Sequence, residues 1–397
     1  MLKKFIKTIP TFGNIEEQIR LQNMLVHKSI KGYPKFELTE TKEIIPSKED
    51  LLLTERLLKA YKSAQLDGKK IKPERQDIWT FLENGPQSDF FELLEKGDVR
   101  EIAYYLCNMS KFGMTHGITQ GKILYEKISS DSAYRKWLGI FMSDKIIRLA
   151  EALGVIPLEN PEQGEYGLSI HSDINEIIDK IETYLRISIM PPDFEGGLFR
   201  LSTKKGRIHH RDILAVYTAW RCSRLLETVK EPSICEIGAG IGKAAYYSRL
   251  LGIKQYTIID LPHINFLHGY YLIKCFPSVD IYLYGEKQKN KADFISIQPD
   301  WYFKTVKGKD FDLTLNEDSF PEIDRAVVLD YLKEIKYHTK NYFLSINQES
   351  QNTMMIGELK QHMISKLVSE IEGFEQIYRF PYWMREGYLE ELYKINS

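Results

Sequence analysis

Residues 233–262 read SICEIGAGIGKAAYYSRLLGIKQYTIIDLP, and few folds accommodate that order of residues. A short apolar run with Glu236 near its end leads into Gly238-Ala239-Gly240-Ile241-Gly242. A helical run follows and stops at Gly252, and a second apolar run, residues 256–259, ends on Asp260. Strand, glycine turn, helix, strand and acid make a βαβ nucleotide-binding unit. Glycine has no Cβ, so the backbone turns tightly there and lets a ligand approach closely. The helix starting near Lys243 turns its unpaired N–H groups toward that ligand. Asp260 stands 22 residues after Gly238, where a strand-end carboxylate accepts bonds from ribose hydroxyls.

The glycines are spaced G-x-G-x-G, not the G-x-G-x-x-G of dinucleotide sites, and Glu236 precedes the first by two residues. An acid so close repels a pyrophosphate. It suits a ligand with a cationic head and no phosphate, such as S-adenosylmethionine. A tight turn with no ligand, and a dinucleotide site, are the alternatives.

The remaining bounds are broad. A chain of 397 residues suggests two or three domains, and 43% hydrophobic with 27% charged residues is ordinary globular composition. A net charge of −1 gives no global field for nucleic acid or anionic lipid. Cys107, Cys222, Cys235 and Cys275 are scattered, as reduced core thiols of a cytoplasmic protein would be. No CxxC pair or HExxH motif suggests a metal site, and no apolar run reaches the roughly 18 residues that span a bilayer. The Met-Leu-Lys-Lys start lacks a signal-peptide core.

Along the chain, residues 1–47 hold a short helix near 15–26 and then an irregular arm. Helical patterns follow from Ser47, with a capping-box arrangement over 47–50, and at 74–83, 89–94, 99–109, 118–126 and 131–153. Pro157, Pro161, Gly164 and Gly167 mark the boundary. The expected division is an α-helical domain or extension at 1–165 and a nucleotide-binding domain at 166–397. After a helix at 173–185, residues 197–203 and 207–210 read as a strand pair, and Asp212 as the cap of a helix carrying Ile213, Val216, Tyr217 and Trp220. Beyond Asp260, Pro262 suits a helix N1 position. Strands are expected at 279–284, 311–315 and 341–346, helices at about 262–276, 323–337 and 356–371, and an antiparallel pair at 374–379 and 388–395. Alternation of strand and helix over 233–346 requires a mainly parallel sheet with helices on both faces. Ligands of such sheets sit outside the carboxyl ends of the strands.

These residues resemble a class I S-adenosylmethionine-dependent methyltransferase, and more closely the bacterial sugar O-methyltransferases. The segments GGLFRLSTKKGRIHHRD, CEIGAGIGKAAYYS, YTIIDLPHINFLHGYYL, LYGE, DLTLNEDSFPEI and PYWMREGYLEELY carry the resemblance over about 190–397. It implies an α/β fold, a seven-stranded Rossmann-like sheet whose last strands form an antiparallel hairpin, behind the helical N-terminal domain. It implies S-adenosylmethionine as cofactor and S-adenosylhomocysteine as product. Glu236, Gly238, Gly240 and Gly242 would line its methionine and ribose part, with Ala239 in the same turn. Asp260, with Leu261 beside it, would take the ribose hydroxyls. Asn316 would contact the methionine end, with Ser319 near it, and Asp318 would face the reacting centre. Asp318-Ser319 also reads as a helix N-cap. The family's acceptor is a sugar on a surface polysaccharide or glycoconjugate. Ile241 departs from the aromatic residue that family turns more often carry before the third glycine.

Methyl transfer to a hydroxyl is an in-line displacement, so positioning supplies much of the rate. A sugar hydroxyl is a poor nucleophile and needs a base or a metal. Candidate bases are His209, His210, His263, Asp318 and Glu322; the same carboxylates offer Mg²⁺ as the other route, and the sequence favours the base. Arg207 and Arg211 suit an anionic substrate or solvent. An NAD-dependent sugar oxidoreductase and a non-catalytic binding module are the competing functions. The helical half is expected to cover the substrate side or to build a homodimer, and not to be needed for cofactor binding alone.

Overall fold

The computed structural model of the protein describes residues 34–68, 77–159, 168–349 and 361–396. The expected helix at 15–26 and the boundary at 165 lie outside them. Helices dominate the first part: α1 (Lys48–Gly68), α2 (Ile78–Asn84), α3 (Ser88–Lys96), α4 (Val99–Cys107), α5 (Gly121–Ser130), α6 (Ser132–Ala152) and α7 (Ile174–Leu185). The capping box at the start of α1 forms as expected: the Asp50 N–H donates to Ser47 Oγ (3.2 Å) and the Ser47 N–H to Asp50 Oδ2 (2.9 Å). A small antiparallel sheet of β1 (Leu38–Glu40), β2 (Phe199–Ser202) and β3 (Arg207–Ile208) joins the N-terminal arm to the later part of the chain.

One expected helix does not start at 118. Residues 109–115 form two short 3₁₀ turns, and α5 begins only at Gly121. Gly117 and Gly121 both take positive φ, 79° and 67°, which a continuous right-handed helix excludes. Residues 116–120 are therefore a loop.

Helix α8 (His210–Leu225) leads into β4 (Ser233–Ile237). Asp212 is not its cap. His209 is: its Nδ1 accepts from the Arg211 N–H (3.3 Å), while Asp212, one turn in, accepts from the His209 N–H (3.1 Å). Next come α9 (Lys243–Leu250), β5 (Gln255–Asp260), α10 (Ile264–Cys275), β6 (Ile281–Leu283), β7 (Phe294–Pro299) and β8 (Phe311–Glu317). The chain continues through α11 (Arg325–His338), β9 (Thr339–Gln348), α12 (Ile364–Ser369), β10 (Phe374–Pro381) and β11 (Tyr388–Ile395). Pro262 falls in the turn before α10, not at its first helical position.

The main sheet runs β10-β11-β9-β8-β4-β5-β7-β6. Pairs from β6 to β9 are parallel, and β11 is antiparallel to both β9 and β10. The expected Rossmann-like sheet with an antiparallel terminal hairpin is present, with eight strands in place of seven. The additional strand, β7, carries Ser296 and Gln298 within its apolar run. Both are buried, and Gln298 Nε2 donates to Ser296 Oγ (2.9 Å), so polar residues sit inside the sheet at little cost. β4 is buried along its whole length, as a strand covered on both faces must be.

One apolar core runs through both parts of the chain. Leu57, Leu106 and Ile147 from the helices belong to the same cluster as Ile234, Ile258 and Tyr270 from the nucleotide unit. The chain leaves β4 toward β5 on one side and returns through β8 on the other, so the strand order reverses at β4. The carboxyl ends of β4, β5 and β8 meet there, and that is where a crevice opens.

Candidate functional site

The turn after β4 is built on left-handed backbone. Gly238, Gly240 and Gly242 have φ of 76°, 61° and 86°. A Cβ on Gly238 would stand 2.2 Å from Ser319 Oγ, so the turn and the loop after β8 close on each other only because residue 238 is glycine. Asn316 holds that loop in place. Its Nδ2 donates to Ile237 O (2.9 Å) and to Ser319 Oγ (2.6 Å), and its Oδ1 accepts from Asn347 Nδ2 (3.0 Å).

A cleft of about 1140 Å³, its mouth included, opens over this turn. Glu236, Gly238, Ala239, Gly240, Asp260, Leu261, Ser319, Asp318 and Glu322 line it. Asn316 and Gly242 do not: Asn316 is buried behind Ser319, and Gly242 packs toward Leu272. Asp260 is fixed from three sides. The Ala239 N–H donates to Oδ2 (2.9 Å), the Leu261 N–H to Oδ1 (2.7 Å), and His268 Nε2 lies 3.0 Å from Oδ2. Glu236 is 3% exposed and accepts from the Tyr256 hydroxyl (2.8 Å); burial pushes its carboxyl up to about 8. Asp300 and Glu317 add two further acids to the lining. Against six carboxyl groups stand Arg211 and Lys243, and Lys243 is already paired with Asp212 (2.6 Å) and Glu195 (3.5 Å). The cleft is therefore rich in carboxyl groups, and although burial keeps Glu236, Glu317 and Glu322 protonated up to about 8, 7 and 8, a cationic ligand would favour their ionised forms.

No protein-family model matches the chain, and no curated protein matches it. Among solved structures it is similar to the magnesium protoporphyrin IX methyltransferase of Synechocystis PCC 6803 with bound S-adenosylhomocysteine. Identity is 12%, over 48% of this chain and 89% of that one, with a TM-score of 0.35. It is also similar to the ribosomal protein L11 methylase of Lactobacillus delbrueckii subsp. bulgaricus, at 15% identity, over 48% and 80% of the two chains, with a TM-score of 0.31. Likeness at this level carries no information about activity or substrate.

On the far side of Ser319 the cleft wall changes character. Asp318 has φ 62°, a left-handed conformation rare for a non-glycine residue, fixed in part by its N–H donating to Ile346 O (2.9 Å). Its carboxylate accepts from Arg211 Nη1 (3.2 Å), Arg385 Nη1 (2.5 Å) and the Tyr388 hydroxyl. Burial alone would raise its pKa, but the two guanidinium groups outweigh that and hold it below the usual carboxylate range. Glu322 has no side-chain hydrogen bond among the described residues. Burial, and then the charge on Asp318, pushes it up to about 8. Glu317 accepts from Thr218 (2.9 Å) and Tyr382 (3.1 Å), and burial pushes it up to about 7.

The three histidines lie outside the cleft lining. His209 is buried and caps α8. His210 stands edge-on to Phe141, with ring centroids 5.7 Å apart. His263 packs on the Phe91 ring at 4.7 Å, with Nδ1 3.8 Å from Glu83. Arg207 is engaged away from the cleft, with Asp193 and Glu40 O. Trp79, Gly117, Ile118 and Thr119, all from the helical part, line the cleft, and none was marked by its sequence pattern. The two glycines around residue 118 were the available signal. Among the described residues no group of three or more His, Cys, Asp or Glu is arranged to hold a metal ion, and no helix is long and apolar enough to cross a membrane.

Proposed function

We propose that the protein is an S-adenosylmethionine-dependent O-methyltransferase acting on a hydroxyl of a sugar or glycoconjugate. The observation that supports it most is the acidic glycine turn: Glu236 buried below it, three left-handed glycines over it, and Asp260 fixed at the next strand end. A pyrophosphate there would face the carboxyl groups of Glu236 and Asp260, whereas a sulfonium or an ammonium would draw Glu236 into its ionised form and meet opposite charge. The residues present fit such a ligand. The glycines leave room beside the main chain, Asp260 keeps lone pairs for ribose hydroxyls, and Glu236 stands at the methionine side. When bound, S-adenosylmethionine supplies a methyl group on a positively charged sulfur.

The chain's own part is positioning and proton transfer. Glu322 is the base we favour over the histidines, because it lines the cleft and no side chain among the described residues hydrogen-bonds to it. Its raised pKa lets it hold a proton taken from the acceptor hydroxyl. Asp318, kept ionised by Arg211 and Arg385, stabilises the protonated form of Glu322. The sugar acceptor rests on the resemblance carried by the segments over 190–397. The four unpaired cysteines support a reducing compartment such as the cytoplasm. Calorimetry with S-adenosylmethionine, S-adenosylhomocysteine and NAD tests the cofactor. The first two are expected to bind and NAD not to; binding of NAD alone would overturn the proposal.

A further inference from the structure

Asp260 has one side-chain partner among the described residues, His268, and that residue has the marks of a dedicated support. It lies on α10 and is 0% exposed. Every other buried side chain of that helix is aliphatic or aromatic. His268 Nε2 stands 3.0 Å from Asp260 Oδ2, while its Nδ1 has no partner among the described residues. Burying a ring nitrogen without a partner is costly, and an apolar side chain at 268 would avoid that cost. The ring is therefore placed for a single bond, the one to Asp260. A carboxylate oxygen only accepts, so the ring proton is on Nε2, which donates.

The two side chains divide the space between them. That of Asp260 is 11% exposed and lines the cleft, and that of His268 is wholly buried. The imidazole thus holds the carboxylate from the side away from solvent. The other donors to Asp260, the Ala239 and Leu261 N–H groups, belong to turns. His268 belongs to a helix, which is the firmer support.

We propose that His268 is a positioning residue of the cofactor site, which fixes the Asp260 carboxylate in the orientation that meets the ribose hydroxyls. This rests on the function proposed above. Asp260 and His268, eight residues apart, then act as a unit, and removing the imidazole loosens the grip on ribose although the ring never touches the ligand.

The test is a double-mutant cycle in the full-length protein, read by calorimetry with S-adenosylhomocysteine. His268→Phe fills the space and donates nothing. It is expected to weaken binding about fivefold, less than the loss on removing Asp260 itself. His268→Gln keeps an N–H donor and should bring affinity back to within about twofold of wild type. In an Asp260→Ala chain, His268→Phe should change affinity by less than about twofold. A residue that only packs gives the same loss with or without Asp260; that result, or an unchanged affinity in His268→Phe, would overturn the proposal. A second comparison does not need Asp260→Ala to fold. His268→Phe should weaken 5′-methylthioadenosine and spare its 2′,3′-dideoxy analogue, and equal losses for the two would overturn the proposal as well. If the His268 variants do not fold, nitrogen NMR of the wild-type histidine rings decides: a proton on Nε2 is expected, and a proton on Nδ1 alone would overturn it. If the wild-type protein binds neither S-adenosylhomocysteine nor 5′-methylthioadenosine, the cofactor reading itself fails and this inference with it, which is a different result from a selective change in the variants.

Discussion

Asp260 illustrates how one side chain joins the glycine turn to the next strand, since a single carboxylate accepts from both Ala239 and Leu261 main-chain N–H groups. Asp260→Ala should lower S-adenosylhomocysteine affinity on the order of 10-fold, measured by calorimetry, because hydrogen bonds to a charged acceptor are worth about 1.5–3 kcal/mol. As the proposed base, Glu322 is active only when deprotonated, and burial pushes its carboxyl up to about 8. Turnover should therefore rise with pH through that value, and Glu322→Gln should cost roughly 10²–10⁴ in kcat with little change in cofactor affinity. A flat pH profile in the wild-type enzyme would remove Glu322 from this role. Glu236 makes a separate prediction about stability. Its carboxyl holds a proton in the fold up to about 8, against 4.5 for an ordinary glutamate. The folded state binds the extra proton between those values, so the stability it confers is complete below about 4.5 and is lost as pH rises through about 8. Glu236→Gln cannot ionise. Melting curves across that range should show its stability falling less with pH than that of the wild type.

At the scale of elements, the glycine turn and the loop after β8 fit only as a pair. Gly238→Ala puts a Cβ against Ser319 Oγ and forces a side chain into φ 76°, so a loss of about 1–3 kcal/mol is expected in thermal melts. Ser319→Gly in the same chain should recover part of it. The cap of α8 is a second case. His209→Asn keeps a capping acceptor and should leave melting temperature and turnover near wild type, whereas His209→Ala should lose about 0.5–2 kcal/mol. The βαβ unit and the terminal hairpin were legible in the sequence because glycine spacing and strand alternation are local signals. β7 was not, because Ser296 and Gln298 satisfy each other inside the sheet and break the apolar pattern. The wall around Asp318 was half legible. Asp318 and Glu322 sit at a strand end, where polar residues stand out. Arg385 and Tyr388 reach Asp318 from a distant part of the chain, and no local pattern reports such a meeting. The histidines drew notice by residue type alone, and their surroundings turned out to be packing and capping.

For the molecule as a whole, the shared core removes any natural seam. Leu57 of α1 stands 2.3 Å from where a Cβ on Gly269 of α10 would be, and the turn at 382–387 is tied to α6 through Glu386 with Arg148 and Lys145, and through the indole N–H of Trp383, which donates to Arg148 O (2.9 Å). A fragment of residues 168–397 should therefore either aggregate or bind S-adenosylhomocysteine far more weakly than the full chain, by gel filtration and calorimetry. Wild-type affinity in that fragment would show the helical part to be dispensable for the cofactor. The placing of β11 has a consequence for synthesis. It lies between β9 and β10, yet it follows both in sequence. As the chain leaves the ribosome, β10 emerges without its neighbour and the edge of β9 stays open. Neither the edge of β9 nor β10 finds its partner until β11 has been made. Arg385 and Tyr388, which hold Asp318, travel with that last stretch. A nascent chain thus owns its glycine turn well before it owns the groups that hold Asp318.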